Sequence, residues 1–156
     1  ITDGAIEKAK EAIRRGLPII TDTTMAASGI NKTAAGKFGI EVHCFIGDED
    51  VKAKAKESGM TRSAVSVEKA AGCYPECIYA VGNAPTALMR LYELIEEKKI
   101  RPALIIGVPV GFVNVVEAKE LVLRTDVPAI VARGRKGGSN IAAAICNALL
   151  YEAGGR

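Results

Sequence analysis

Short aliphatic runs alternate with longer amphipathic or polar runs along most of this chain. The aliphatic runs read LPIITD, VHCFI, CIYAVGN, ALIIGVPVG and AIVARG, and each has the length of one buried β-strand. Residues 3–15 carry apolar residues at helical spacing and are followed by Gly16, which favours a helix ended by a C-terminal glycine. Further helices are predicted between Asp48 and Ser58, over residues 84–98, over VVEAKELVLR and over IAAAICNALLYEA.

This alternation predicts the α/β fold class. We expect a three-layer sandwich with a mainly parallel five-stranded sheet and helices on both faces. A chain of 156 residues fits one domain, residues 1–156. Apolar residues make up 49% of the chain but aromatic residues only 4%, so the core is expected to consist of Ile, Val, Leu and Ala.

Charge and cysteine content narrow the function classes. A net charge of +3 without long runs of like charge gives no reason to expect nucleic acid as a partner. No apolar stretch approaches the ~18 residues of a membrane span and no signal peptide is seen, so we expect a cytoplasmic protein without membrane contact. The pairs His43–Cys44 and Cys73–Cys77 lack the usual spacing of zinc ligands, so no metal site is predicted.

Polar residues and glycines follow every predicted strand. In a parallel sheet these positions meet at the carboxyl edge, where ligands of such folds bind. They are Thr21 with Asp22, Gly47 with Asp48, Gly82 with Asn83, residues 107–112 and residues 133–139. Each junction alone could be a cap or a turn, since Asn83 makes a good N-cap and Pro85 falls in the first helical turn. Five of them at one edge favour a binding site.

The most basic junction, residues 133–140, reads RGRKGGSN and joins a predicted strand to a predicted helix. The unpaired N–H groups and positive dipole of a helix start favour an anion, and glycines let it approach closely. The alternative is a tight turn at Gly137 and Gly138, with Ser139 capping the helix and the cations in water.

The kind of anion is narrowed by motifs that the chain lacks. GxxxxGK[ST], GxGxxG and GxSxG are all missing from the sequence, so neither the usual nucleotide cradles nor a hydrolase elbow is indicated. Arg62, Arg133 and Arg135 are spread along the chain, which suits a ligand with several separated carboxylates.

Five stretches together are specific to one family. They are DTTMAASGI, TRSA, AVGNAPTAL, IIGVPVGFVNVVEAKE and VARGRKGGSNIAAAICNAL. In this order they resemble the precorrin-8X methylmutases, or precorrin isomerases, of cobalamin biosynthesis. The resemblance implies an isomerase that shifts a methyl group between adjacent ring carbons of precorrin-8X or cobalt-precorrin-8, without a cofactor. The anions expected at RGRKGGSN are then the acetate and propionate groups of a tetrapyrrole.

The resemblance also implies a set of substrate-binding residues and a partner. The residues are Asp22, Arg62, Ser63, Asn83, Thr86, Arg133, Arg135, Gly137, Gly138 and Ser139. One of the two neighbouring arginines could instead brace Asp22 or Glu117 and act on the fold. A homodimer with sites near the subunit interface is implied as well. The last predicted helix could pack on the partner or simply cover the sheet.

The resemblance places the catalytic histidine of the family in an amino-terminal segment, upstream of the helix at which this chain starts. The proton donor is therefore unknown from these residues. His43, the one histidine of the chain, falls within an apolar strand and is expected to be packed and hydrogen-bonded rather than catalytic. Three alternatives stay open: part of a methylmutase, a corrinoid-binding relative without catalysis, and an unrelated anion-binding α/β domain.

Overall fold

A computed structural model describes residues 1–154. Its five strands form one sheet in the order β2-β1-β3-β4-β5, and all neighbouring strands pair in parallel. The strands are β1 (Ile19–Thr21), β2 (Val42–His43), β3 (Ile78–Val81), β4 (Leu104–Gly107) and β5 (Ala129–Val131). The predicted α/β class with a five-stranded parallel sheet is confirmed.

Eight helices are present within residues 1–154. They are α1 (Ala5–Arg14), α2 (Thr24–Gly29), α3 (Lys32–Gly36), α4 (Glu49–Ser58), α5 (Arg62–Cys73), α6 (Pro85–Glu96), α7 (Val115–Leu123) and α8 (Ser139–Glu152). Three of them, α2, α3 and α5, are not predicted by the hydrophobic pattern. Each begins at a polar N-cap whose side chain accepts a backbone N–H, namely Thr23, Asn31 and Thr61. Caps of this kind let short or weakly amphipathic segments form helices.

Side-chain alternation along the strands divides the core into two layers. Ile19 and Ile78 pack on the face covered by α1, α2, α3 and α8. Their neighbours Ile20 and Tyr79 pack on the opposite face, under α5, α6 and α7. The three predicted layers follow from this alternation.

The last helix covers the sheet, which is one of the two roles considered for it. Ala142, Cys146 and Leu150 of α8 are buried in the first of the two layers. Ile141, in its first turn, is 39% exposed. No helix within residues 1–154 combines the length and apolar character needed to cross a membrane.

His43 ends the edge strand β2, and its partly buried ring contacts two aromatic side chains and a carboxylate. Its ring stacks on those of Phe45 and Tyr74, with centroids 5.6 and 5.1 Å apart. Its Nε2 atom lies 2.9 Å from a carboxylate oxygen of Glu41 and 3.0 Å from the hydroxyl of Tyr74. The expectation that His43 is packed and hydrogen-bonded is confirmed.

Candidate functional site

The carboxylate of Asp22 joins the end of β1 to the start of α6. Asp22 is 6% exposed, and its oxygens accept hydrogen bonds from the backbone N–H groups of Gly82, Asn83 and Ala84 at 2.8, 2.8 and 2.7 Å. Such N–H groups lack intrahelical partners, and a negative charge is favoured beside them. Burial raises the pKa of Asp22, while the three N–H bonds act in the opposite direction. Backbone N–H groups thus occupy both oxygens of Asp22. The residue fixes the turn before α6, which carries Asn83.

Asn83 is not the N-cap of α6, contrary to the prediction. The N-cap is Ala84, which provides no side-chain bond, and the N–H of this residue donates to Asp22, which follows the neighbouring strand β1. Pro85 falls in the first helical turn, as predicted, and is the first residue of the helix. Asn83 itself is exposed at the carboxyl edge, so its side chain is accessible to a ligand.

Gly137 and Gly138 pack the loop between β5 and α8 against the chain that leaves β4. The N–H of Gly138 donates to the carbonyl of Val108 at 2.9 Å. A Cβ atom on Gly137 would lie 2.0 Å from the same carbonyl oxygen, and Gly138 has a φ of 137°. Close packing requires glycine at position 137, and the positive φ favours glycine at position 138. Both therefore fit the alternative interpretation, in which the two glycines form a tight turn.

Ser139 does not cap α8; it is the first residue of that helix, after the N-cap Gly138. Its hydroxyl shares a 2.7 Å hydrogen bond with the hydroxyl of Thr23, the N-cap of α2. Gly82 allows this approach, since a Cβ atom there would lie 2.6 Å from the Cα atom of Ser139. The starts of α2, α6 and α8 are thereby held side by side at the carboxyl edge.

Arg133 and Arg135 lie on the exposed side of the same loop. The Nε atom of Arg133 is 3.2 Å from a carboxylate oxygen of Glu120, and 71% of the Arg133 side chain is exposed. The carboxylate that Arg133 contacts is therefore Glu120, and not Asp22 or Glu117. An exposed pair of this kind adds little stability, so Arg133 can exchange Glu120 for a ligand carboxylate. The guanidinium of Arg135 lies 5.8 Å from the centroid of the Phe112 ring.

Arg62, Ser63 and Thr86 lie at two neighbouring helix starts. Arg62 and Ser63 are the first two residues of α5, and Thr86 is the second residue of α6. The hydroxyl of Thr61 donates to that of Thr86 at 2.9 Å and links these two helix starts. Arg62 is exposed and adds a third guanidinium to this region.

Lys119 of α7 contacts this region and is not predicted by the sequence analysis. Its side chain is fully buried, with 0% exposed, and its Nζ atom donates to the carbonyls of Gly134 and Lys136 at 2.7 and 3.0 Å. Burial lowers the pKa of Lys119. The sequence holds one clue: Lys119 falls in the buried stripe of α7, next to Ala118 and one turn before Val122.

Exposed apolar side chains border the same edge. They belong to the first turns of helices and to the loop after β4, and they are Met25, Val110, Phe112, Val113, Val116 and Ile141. Phe112 and Val113 are 84% and 76% exposed. Apolar surface beside Arg135, with Arg133 on the same loop, suits a ligand that has both an apolar body and anionic groups.

Cavities occur at both edges of the sheet. A cavity of about 400 Å³ at the carboxyl edge is lined by Val110, Ala132, Lys136, Gly137 and Ile141. A larger one of about 1080 Å³ lies at the amino edge, lined in part by Ile100, Pro102, Val127 and Pro128. The converging helix starts and the arginines lie at the carboxyl edge, so we assign the site there in spite of the smaller volume. Among residues 1–154 no three His, Cys, Asp or Glu side chains gather into a metal-binding cluster.

The fold and this edge define a class: a parallel α/β protein whose carboxyl edge carries helix starts, arginines and exposed apolar side chains. The chain belongs to the precorrin-8X methylmutase family, whose profile matches residues 1–152. It is 45% identical over 154 residues to a cobalt-precorrin-8 methylmutase of Leptospira interrogans, covering 94% of this chain and 70% of that protein. It is 47% identical over 149 residues to a cobalt-precorrin-8 methylmutase of Salmonella typhimurium, covering 95% and 69% of the two chains.

A solved structure supports the same assignment. The crystal structure of precorrin-8x methyl mutase from Thermus thermophilus superposes with a TM-score of 0.89 at 40% identity, covering 97% of this chain and 74% of that one. The resemblance in the sequence to the precorrin-8X methylmutases is thus confirmed.

Replacement of Asp22 tests its support of α6. Asp22→Ala should lower the free energy of unfolding by about 2–3 kcal/mol, because it leaves three backbone donors of a buried helix start unpaired. Asp22→Asn keeps one acceptor oxygen, so its free energy of unfolding should lie between those of the wild type and Asp22→Ala. Urea denaturation gives the comparison, with exposed Asp126→Ala as the control. Equal stability of Asp22→Ala and the wild type would contradict this role.

Gly137→Ala tests the close packing of the loop after β5. The new methyl group would overlap the carbonyl of Val108, so we expect a loss of about 2–3 kcal/mol of stability or a displaced loop. Gly47→Ala is the matched control, because a Cβ atom at Gly47 meets open space. Thermal unfolding of both variants measures the difference, and equal melting temperatures would argue against the packing described.

Proposed function

We propose that this protein is a methylmutase acting on cobalt-precorrin-8 or precorrin-8X in cobalamin biosynthesis. The single observation that carries the proposal is the carboxyl edge, where three arginines, exposed apolar side chains and several helix starts lie at the same side of the sheet. A corrinoid precursor has a flat apolar ring and a rim of carboxylates, and it matches this edge in both respects. Family membership and the named relatives support the reaction type.

In this proposal the arginines hold the rim of the substrate. Arg133, Arg135 and Arg62 would each bind a peripheral carboxylate through charge-assisted hydrogen bonds. Asn83 and Thr86 would offer further polar contacts at the start of α6. Gly137 and Ser139 would present backbone at the start of α8, while Gly138, whose N–H is bonded to the carbonyl of Val108, would hold the turn between them. Asp22 would act indirectly, by fixing the helix start that carries Asn83.

These contacts would speed an intramolecular shift mainly by orientation. Migration of a methyl group between adjacent ring carbons needs no second reactant, so a rigid hold on the macrocycle restricts it to the reactive geometry. Protonation of the macrocycle would assist the shift. His43 is stacked between two rings and hydrogen-bonded, so we do not assign it that proton transfer.

A conversion assay tests the proposal. The protein is incubated with cobalt-precorrin-8 and with precorrin-8X, and product is followed by absorbance and chromatography at unchanged mass. We expect isomerisation of at least one substrate. Binding without conversion of either substrate would instead support the non-catalytic relative. Neither binding nor conversion would contradict a corrinoid function altogether.

We also propose a cytoplasmic homodimer. The exposed Phe112, Val113 and Met25 support it, because apolar side chains grouped at one edge are typical of interaction surfaces. Sedimentation at micromolar concentration should give twice the 16.4 kDa of one chain. A single species of monomer mass would contradict the dimer.

Arg133→Ala and Arg135→Ala test the carboxylate contacts. Each should weaken binding of the corrinoid product by about 1.5–3 kcal/mol, the range for hydrogen bonds to charged groups. Replacement of either arginine by lysine should retain only part of the binding free energy, since lysine cannot form the bidentate fork. Absorbance titration gives the affinities, and the melting temperatures should stay unchanged. Arg101→Ala, at the amino edge, is the control; a lowered melting temperature with retained affinity would make the arginine structural.

A further inference from the structure

We propose that Lys119 is a positioning residue for the methylmutase site: its buried ammonium holds the loop that carries Arg133 and Arg135. The inference rests on the proposed function. It concerns a residue that does not face the substrate and that acts through the loop between β5 and α8.

The contacts of this loop show how the lysine acts. Two carbonyls two residues apart, those of Gly134 and Lys136, accept hydrogen bonds from one Nζ atom at 2.7 and 3.0 Å. The carbonyl between them, that of Arg135, accepts the N–H of Gly111 at 3.3 Å. Three consecutive carbonyls are therefore tied down. Gly134 has a φ of 86°, a left-handed conformation that permits this path.

The result of this arrangement is a loop with its backbone turned inward and its cations outward. The carbonyls of Gly134 and Lys136 point to α7, while Arg133 and Arg135 are exposed. A lysine suits this task because its ammonium has three rotatable donors on a compact charge. The same charge also adds a fixed positive field beneath the place proposed for the substrate carboxylates.

Stability alone does not require an ammonium at this position. No ion pair of Lys119 with a carboxylate is found within residues 1–154, and its contacts there are to neutral carbonyls. Burial of a charge without an opposite charge is unfavourable, and an apolar side chain of similar volume often replaces a buried ionic group without loss. An apolar residue would fill the space under the loop but could not hold the carbonyls. The ammonium is thus explained by control of the loop.

Lys119→Met is the main test, because it removes the ammonium and keeps most of the volume. We expect the KM for the corrinoid substrate and the Kd for the product to rise about tenfold, with kcat within about threefold of the wild type. Binding should also depend less on salt, since one charge of the site is lost. Lys119→Arg keeps the charge and the donors but not the compact geometry, and its KM should lie between those of the wild type and Lys119→Met.

Limited trypsin digestion gives a readout that needs no substrate. The loop contains scissile bonds after Arg133, Arg135 and Lys136. Release of the carbonyls from Lys119 should make these bonds more mobile, so the Met variant should be cut there at least several times faster than the wild type. Mass spectrometry of the fragments locates the cuts.

Two control variants separate positioning from other effects. Lys8→Met changes net charge in the same way on an exposed position of α1 and should leave KM and loop cleavage unchanged. Val122→Ala removes buried volume from the same helix as Lys119 and should lower the melting temperature without raising KM.

The outcomes distinguish this inference from the proposed function. A wild-type protein that neither binds nor converts a corrinoid refutes the proposed function without any variant. An active wild type, with KM and loop cleavage unaltered in Lys119→Met, overturns the role of Lys119 even if the melting temperature falls as in Val122→Ala. If Lys119→Met does not fold, Lys119→Arg decides: KM and loop cleavage equal to those of the wild type would overturn the inference as well.

Discussion

The structure of the carboxyl edge depends on one buried interaction, the bond of Asp22 to the start of α6. A single carboxylate satisfies three backbone donors and fixes the end of β1 against the turn that follows β3. The remaining contacts build on that junction. Gly82 lies within it and accepts the close approach of Ser139, which in turn reaches Thr23 at the start of α2. Three helix starts are aligned in this way by one carboxylate, one close backbone approach and one pair of hydroxyls.

Lys119 is the cationic counterpart of Asp22. These two are the charged residues that are buried within residues 1–154, and both serve the carboxyl edge. The carboxylate of Asp22 accepts hydrogen bonds from backbone N–H groups, and the ammonium of Lys119 donates hydrogen bonds to backbone carbonyls. Each charge is stabilised by the peptide groups of a loop and not by an opposite charge. Removal of either side chain should therefore release a loop, and this effect should exceed the loss of packing in the core.

The sequence predicts the parts of this protein that depend on local pattern. Aliphatic runs and helical spacing identify the strands and most of the long helices, and the arginines of RGRKGGSN are identified by composition and position. Contacts between distant segments are not predicted. Asn83 has the residue type of an N-cap, yet the N-cap is Ala84, and its N–H donates to Asp22 beyond the end of β1. Ser139 likewise bonds to Thr23 and leaves the cap to Gly138. The sequence indicates Lys119 in one way: helical spacing puts this lysine among the buried apolar residues of α7.

The choice of edge follows from the direction of the helices rather than from cavity size. In a parallel α/β fold each helix starts at the carboxyl edge and ends at the amino edge. The larger cavity therefore lies among the negative ends of α1, α6 and α7, and its cations, Arg15 and Arg124 among them, lie next to these ends. Part of their charge is offset there by the helix ends. At the carboxyl edge the dipoles and the arginines have the same sign, and an anionic rim is attracted by both.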